Sequence, residues 1–169
     1  MTGLASHVRD VVDYPKPGIV FKDLTPLFAD AGAFGAAVEA LAEGAPAFDK
    51  VAGIEARGFV VAAPVAARAG TGFVPIRKAG KLPAATYATS YALEYGEATI
   101  EVHRDAFVPG ERVLVVDDVL ATGGTAAAAV RLVREAGAEV AGVAVVVELA
   151  FLGGRARLEG LPLLALLTY

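Results

Sequence analysis

Most of the chain alternates short apolar runs with alanine-rich stretches. Val51–Ile54, Phe73–Ile76, Arg112–Val116, Val140–Val147 and Leu163–Leu167 lack the polar residue at every second position that marks a half-exposed strand. They predict strands buried on both faces. Between them, helices are expected from about Gly58 to Ala69 and from about Gly124 to Ala136. Phe34, Val38 and Leu41 mark an earlier helix that closes near Gly44 and Pro46. Leu4, Val8, Val11 and Val12 fall on one helical face, which ends at Tyr14-Pro15-Lys16-Pro17-Gly18, and Ile19–Phe21 reads as extended. Buried strands joined by helices predict an α/β fold, with a central, mostly parallel sheet covered by helices on both faces. Sheets of this kind bind ligands beyond the carboxyl ends of their strands. Residues 79–105 break the rhythm with Gly80, Pro83 and alternating residues around Tyr91 and Ile100. They read as a flexible arm or hairpin rather than a core element. No repeat or low-complexity linker divides the chain, so residues 1–169 are expected to form one domain.

Composition narrows this picture. The chain is 56% hydrophobic and 20% charged, which excludes a disordered polymer and predicts that some apolar surface lies in a subunit interface. Charges or glycines interrupt every apolar run before membrane-spanning length, and His7, Arg9, Asp10 and Asp13 are out of place in a signal peptide. A cytoplasmic protein is expected. Without cysteine there is neither a disulfide nor a thiolate nucleophile. His7 and His103 have no metal-ligand spacing. The net charge of −4 argues against general nucleic-acid binding. Against that acidic background, Arg77, Lys78 and Lys81 stand in a segment without an acid, a candidate site for a small, multiply charged anion.

The densest chemistry lies between Val113 and Thr125. An apolar run, Val113–Val116, meets Asp117-Asp118, then Val119-Leu120, then Ala121-Thr122-Gly123-Gly124-Thr125 at the start of a helix. Adjacent glycines let backbone N–H groups turn inward, the threonines add hydroxyl donors, and the helix supplies the positive end of its dipole. A phosphate monoester suits that loop, and the two carboxylates then lie where a ribose offers its 2′ and 3′ hydroxyls. No lysine follows Gly124, which excludes a Walker loop, and the glycine spacing excludes a dinucleotide fingerprint. Solvated loop acids beside an ordinary turn are the plainer alternative. Taken alone, the segment does not distinguish an enzyme from a sensor.

Val113–Thr125 resembles the signature of the type I phosphoribosyltransferases, which bind phosphoribosyl pyrophosphate. Four further blocks extend the resemblance, along nearly the whole chain, to the adenine-using branch of that family: 14–23, Glu55-Ala56-Arg57-Gly58-Phe59, 76–83 and 91–96. The resemblance implies that residues 1–32 form a small N-terminal hood carrying the base-binding segment, and that 79–105 is a flexible catalytic arm. It implies that Asp117 and Asp118 hold the ribose hydroxyls, directly or through magnesium-bound water, and that Ala121, Thr122, Gly123, Gly124 and Thr125 hold the 5-phosphate. Pyrophosphate falls to Glu55, Ala56 and Arg57, with a cis peptide at Glu55–Ala56, and to Arg77, Lys78 and Lys81, Arg77 reaching a neighbouring subunit. Adenine falls to backbone groups of Val20–Lys22 between the side chains of Phe21 and Leu149. Glu94 and Tyr95 complete the catalytic set. Mg²⁺ is the implied cofactor, and a homodimer the implied assembly.

Read one residue at a time, several assignments keep plainer alternatives. Arg57 also suits a helix-start salt bridge, the cationic strip a solvated face, Phe21 the core, and Glu94 a surface acid. Glu148, after an apolar strand, is a candidate for orienting the base-side loop. Rival functions also stand: transfer to xanthine, hypoxanthine or guanine, with differences around Phe21 and Leu149, a non-catalytic phosphoribosyl-pyrophosphate sensor, or a nucleotide-binding interaction protein. A sensor normally carries a DNA-binding segment, for which there is no room before Tyr14. An interaction protein has no reason to keep Arg57 together with the cationic strip. Glu55 stands where some family members carry aspartate, and the stop at Tyr169 puts C-terminal base contacts in doubt.

Overall fold

A computed structural model describes residues 3–92, 96–158 and 160–169. Its frame is a seven-stranded sheet. Five strands run parallel: β3 (Lys50–Ile54), β4 (Gly72–Lys78), β7 (Arg112–Leu120), β8 (Glu139–Glu148) and β9 (Leu163–Thr168). The hairpin of β5 (Thr86–Ala92) and β6 (Glu97–His103) adds two antiparallel strands at the β4 edge, giving the order β5-β6-β4-β3-β7-β8-β9. Central β7 shows why its sequence lacks alternation. Val113 and Val115 face one apolar cluster, Leu114 and Val116 face the other, and all four are fully buried.

Helix α4 (Gly124–Glu135) covers the first face through Ala128, Ala129, Leu132 and Val133. Helices α2 (Ala31–Gly44) and α3 (Arg57–Ala69) cover the second through Ala37, Leu41, Val61 and Val65. Asp30 caps α2 by accepting from Ala33 N at 2.8 Å, satisfying a donor that the helix leaves unpaired. A short helix, α1 (Thr25–Ala29), precedes it with Pro26 in its first turn and had no clear apolar period in the sequence.

Three sequence expectations change. The helix over Leu4–Val12 is instead a 3-10 turn at Ala5–His7 followed by strand β1 (Arg9–Val12). Strand β1 pairs antiparallel with β2 (Val20–Asp23), Val11 opposite Phe21 and Val12 opposite Val20. Helical spacing of four apolar residues is outweighed by β-branched pairing across a short hairpin. Second, β7 does not stop at the acids but runs through them to Leu120. Third, the 79–105 hairpin contributes Ile100 and Val102 to the first core cluster, so its inner strand is a core element. No helix among the described residues is long and apolar enough to cross a membrane.

Candidate active site

The site lies at the carboxyl ends of β3 and β7, where the loops after both strands open into helices. After β7 the chain turns through Ala121–Gly123 into α4. Gly123 has φ +78°, and a side chain there would run into the carbonyl oxygen of Gly154, so glycine is required twice over. Ala121–Thr125 surround a small pocket of about 80 Å³ that also touches Asp117. Its size and its position at a helix N-terminus suit one phosphate group.

Beside this pocket stand the two carboxylates. Asp117 Oδ1 accepts from the backbone N–H of Asp118 at 2.9 Å. Asp118 is buried, 4% exposed, and its Oδ2 makes no aligned hydrogen bond, although Arg57 Nε approaches to 2.8 Å. Burial raises both carboxyl pKa values. The charge of Asp118 pushes Asp117 well above the usual carboxylate range, while Arg57 pulls Asp118 back down. Two desolvated acids with one oxygen unsatisfied suit a ligand that brings hydroxyl donors or a cation. Gly58 permits this closeness, because a Cβ there would sit 2.8 Å from Asp117 Oδ1 and 3.1 Å from the Val116 carbonyl.

The Glu55–Ala56 peptide is cis, as the resemblance implied, and it leads into α3. A cleft of about 330 Å³ lies between this loop and the acids, lined by Glu55, Ala56, Arg57, Asp117, Asp118 and Tyr91 among others. Arg77 does not point into it. Arg77 Nε and Nη2 donate to the two carboxylate oxygens of Glu55 at 3.2 Å each, and Nη1 donates to the Lys81 carbonyl at 3.1 Å. The Arg77 hydrogen bond, followed by one from the Lys78 N–H, holds the Glu55 carboxyl below its ordinary pKa. Lys78 and Lys81 are exposed at the same edge. The loop carrying Lys81 is tied to buried Glu101, which accepts from the N–H groups of Lys81 and Leu82 at 2.9 Å each.

On the far side of Arg57, a cleft of about 210 Å³ is lined by Ile19, Val20, Phe21, Lys22, Val119 and Leu149, along with Arg57 and Ala121. Phe21 and Leu149, taken from opposite ends of the chain, therefore face one cavity. Tyr14 meets the Phe21 ring edge-on at 5.3 Å, and the Arg57 guanidinium lies 5.2 Å from its centroid. The Lys22 ammonium is engaged elsewhere, 2.6 Å from Asp10 Oδ1 and 4.0 Å from the Tyr169 ring centroid. Val119 lines the phosphate pocket, the acid cleft and the apolar cleft alike, so the three compartments meet there. Glu94 and Tyr95 lie outside the described residues.

Three contributors escaped the sequence reading. Arg155 grips buried Glu148 with both arms, Nε at 2.9 Å and Nη2 at 2.5 Å, placing the 154–158 turn against the phosphate loop. Gly154 is packed so closely on Ala121 and Gly123 that no side chain fits. Tyr91 accepts a hydrogen bond from Thr125 Oγ1 at 3.1 Å. None is adjacent in sequence to the loop it supports. Only Glu148, an acid closing an apolar run, carried a visible signal.

A phosphate-sized loop after a core strand, two adjacent acids at that strand's end and the Glu55-Ala56-Arg57 loop opposite them are the arrangement of a type I phosphoribosyltransferase. The phosphoribosyl transferase domain model matches residues 28–158. An adenine phosphoribosyltransferase from Streptomyces coelicolor is 65% identical over 171 aligned positions, covering 98% of this chain and 94% of the relative. The crystal structure of adenine phosphoribosyltransferase from Thermoanaerobacter pseudethanolicus superimposes with a TM-score of 0.96 at 46% identity, covering 99% of each chain. That from Saccharomyces cerevisiae, complexed with an imino-altritol bisphosphate and adenine, gives 0.92 at 37% identity, covering 98% of this chain and 97% of its own. The chain belongs to the adenine phosphoribosyltransferase family.

Proposed function

We propose that the protein transfers the 5-phosphoribosyl group of phosphoribosyl pyrophosphate to adenine, giving AMP and pyrophosphate in purine salvage. The observation that carries this reading is the meeting of three compartments at Val119, one suited to phosphate, one to ribose hydroxyls and pyrophosphate, one to a flat apolar ring. The 5-phosphate occupies Ala121–Thr125, where loop N–H groups and hydroxyls meet it. The ribose hydroxyls donate to Asp118 Oδ2, which is ion-paired with Arg57 but has no aligned hydrogen bond, and to the Asp117 carboxylate. Pyrophosphate lies toward Glu55-Ala56-Arg57, on the side of the edge that carries exposed Lys78 and Lys81, and Arg77 acts through Glu55 to hold that loop. Adenine sits between Phe21 and Leu149, read by backbone groups of Val20–Lys22.

The C1–oxygen bond to pyrophosphate breaks as the bond from adenine N9 forms, and N9 gives up its proton. Glu94 and Tyr95, on the arm, serve this proton exchange at the imidazole ring. Arg57, Lys78 and Lys81 stabilise charge that builds on the leaving group, which favours the transition state over the bound substrate. No nucleophilic side chain is required, and positioning does most of the work. The arm excludes water from the activated sugar.

The residues fit magnesium. No cluster of three or more acidic, histidine or cysteine ligands occurs among the described residues, but a buried and a half-buried carboxylate, one oxygen lacking an aligned hydrogen bond, match an ion that keeps its waters and binds mainly through substrate phosphates. Asp117 and Asp118 would hold it through water, where it supplies charge neutralisation for the leaving pyrophosphate. The active form is a cytoplasmic homodimer. Val60, 42% exposed on α3, and the exposed alanines at 63 and 67 supply an apolar stripe for a partner.

Steady-state turnover with adenine, hypoxanthine, guanine and xanthine tests the reading. Pyrophosphate release with adenine alone is expected. Release with another base in its place overturns the base assignment, and no release with any base favours the sensor.

A further inference from the structure

Tyr91 stands in a sequence block whose family resemblance centres on Glu94 and Tyr95, yet it is Tyr91 that touches the phosphate loop. Strand β5 lies along α4 and is held there by three successive residues. Thr89, 9% exposed, donates from its hydroxyl to Glu135 Oε2 at 3.0 Å, and Arg131 Nη2 donates to the Ser90 carbonyl at 3.4 Å. The third contact is the bond from Thr125 Oγ1 to the Tyr91 hydroxyl, at the helix end that forms the phosphate loop. The ring also lies over Gly124, its Cδ2 within 3.6 Å of where a Cβ would stand. Tyr91 and Thr125 both line the acid cleft.

We propose that Tyr91 is a further positioning residue of the 5-phosphate site, coupling donor binding to the 79–105 hairpin. The inference rests on the function proposed above. Thr125 has a single hydroxyl proton, at present directed to Tyr91. A phosphate only accepts, so when it enters the loop that proton turns to the phosphate. The Tyr91 hydroxyl then reverses and donates to Thr125 Oγ1. Neither heavy atom has to move, and the result is a chain from Tyr91 through Thr125 to the phosphate. Each bond in such a chain polarises the next, and the terminal bond is charge-assisted. Phosphate binding thereby tightens the tie between the hairpin and the loop, and the hairpin tightens the hold on phosphate.

Ribose 5-phosphate is the probe, because it carries the 5-phosphate without base or pyrophosphate. Its affinity is measured by calorimetry and its effect on the hairpin by hydrogen exchange, both independent of turnover. Tyr91→Phe keeps the ring on Gly124 and removes only the hydroxyl. The expected result is at least a threefold loss of ribose 5-phosphate affinity. The amide protection that the ligand gives to residues 86–92 and 97–103 of the wild type also disappears. In a Thr125→Ala background the same substitution costs nothing further, since the relay is already broken. Inorganic pyrophosphate affinity stays within twofold. A loss smaller than threefold, retained hairpin protection, or additive losses in the double variant overturn the inference while leaving the proposed function intact. Failure of the wild type to bind ribose 5-phosphate overturns both.

Discussion

The two sides of the site are built differently. The proposed donor side stands on the core: Asp117 and Asp118 belong to β7, the strand whose preceding residues Val113–Val116 are fully buried, and the loop proposed for phosphate opens α4, which covers one face of the sheet. The proposed base side stands on a separate two-stranded sheet, β1 with β2, where Val12 is 69% and Val20 45% exposed. Phe21 comes from that hood and Leu149 from just beyond β8, so the apolar cleft is walled by both parts. Rigid support suits a charged donor whose reacting carbon has to be placed closely. A wall assembled from a small appended sheet suits a ligand held by ring faces and backbone groups, and it can change without disturbing the core.

The largest expected effect breaks the donor side. Asp118→Asn keeps the size but replaces one acceptor oxygen with an amide donor and removes the charge from a buried carboxylate whose Oδ2 has no aligned hydrogen bond. Turnover at low donor concentration should fall by roughly 100- to 1000-fold, on the order of 3–4 kcal/mol, while the melting temperature changes little, because the desolvation cost that is relieved offsets the lost ion pair to half-exposed Arg57. Steady-state kinetics with a parallel melt checks both. Unchanged kinetics would remove Asp118 from the ribose site.

The base side should break more gently and separately. Phe21→Ala removes one wall of the apolar cleft along with its contacts to Tyr14 and Arg57. The adenine KM is expected to rise about tenfold, or about 1.4 kcal/mol, with the donor KM within twofold of wild type. Equal losses for both substrates would mean that Phe21 supports Arg57 and its ion pair to Asp118 rather than the base.

The same contrast explains what was legible in the sequence. The donor side is local: strand, acids, glycines and helix follow one another within Val113–Thr125, and each requires its residue type for a reason visible in one dimension. The parallel core was equally readable, because strands buried on two faces have no polar alternation. The hood was misread because a period of three to four among four apolar residues is weak evidence, and the pairing that decides β1 comes from residues eight to fourteen positions away. The link between Glu148 and Arg155, the packing of Gly154 under Gly123, and the contact of Tyr91 with Thr125 are all tertiary. Phe21 and Leu149 were placed by family resemblance alone, since nothing local to either residue points to the other.

The smallest expected effect separates the two sides by the sign of their response to pH. In the hood, Asp23 Oδ1 accepts from the Thr25 N–H at 2.9 Å, and Arg9 donates to its other oxygen at 3.0 and 2.5 Å. The Thr25 bond, then that of Arg9, lowers its pKa below the ordinary 3.8. A carboxylate whose folded pKa is depressed contributes stability that is complete above its unfolded value and lost as pH falls through the folded one. Asp117 carries the opposite shift, so protonation relieves strain on the donor side while loosening the hood. Asp23→Asn should therefore melt roughly 2–4 °C below wild type at pH 7, the response of a chain this size to about 1 kcal/mol. The gap should narrow as the pH drops below 3.8. Hydrogen exchange should show the loss confined to β1, β2 and α1. A gap that holds constant with pH, or one that spreads to β7 and α4, would show that the hood and the donor platform unfold as one unit and that their separation is geometric only.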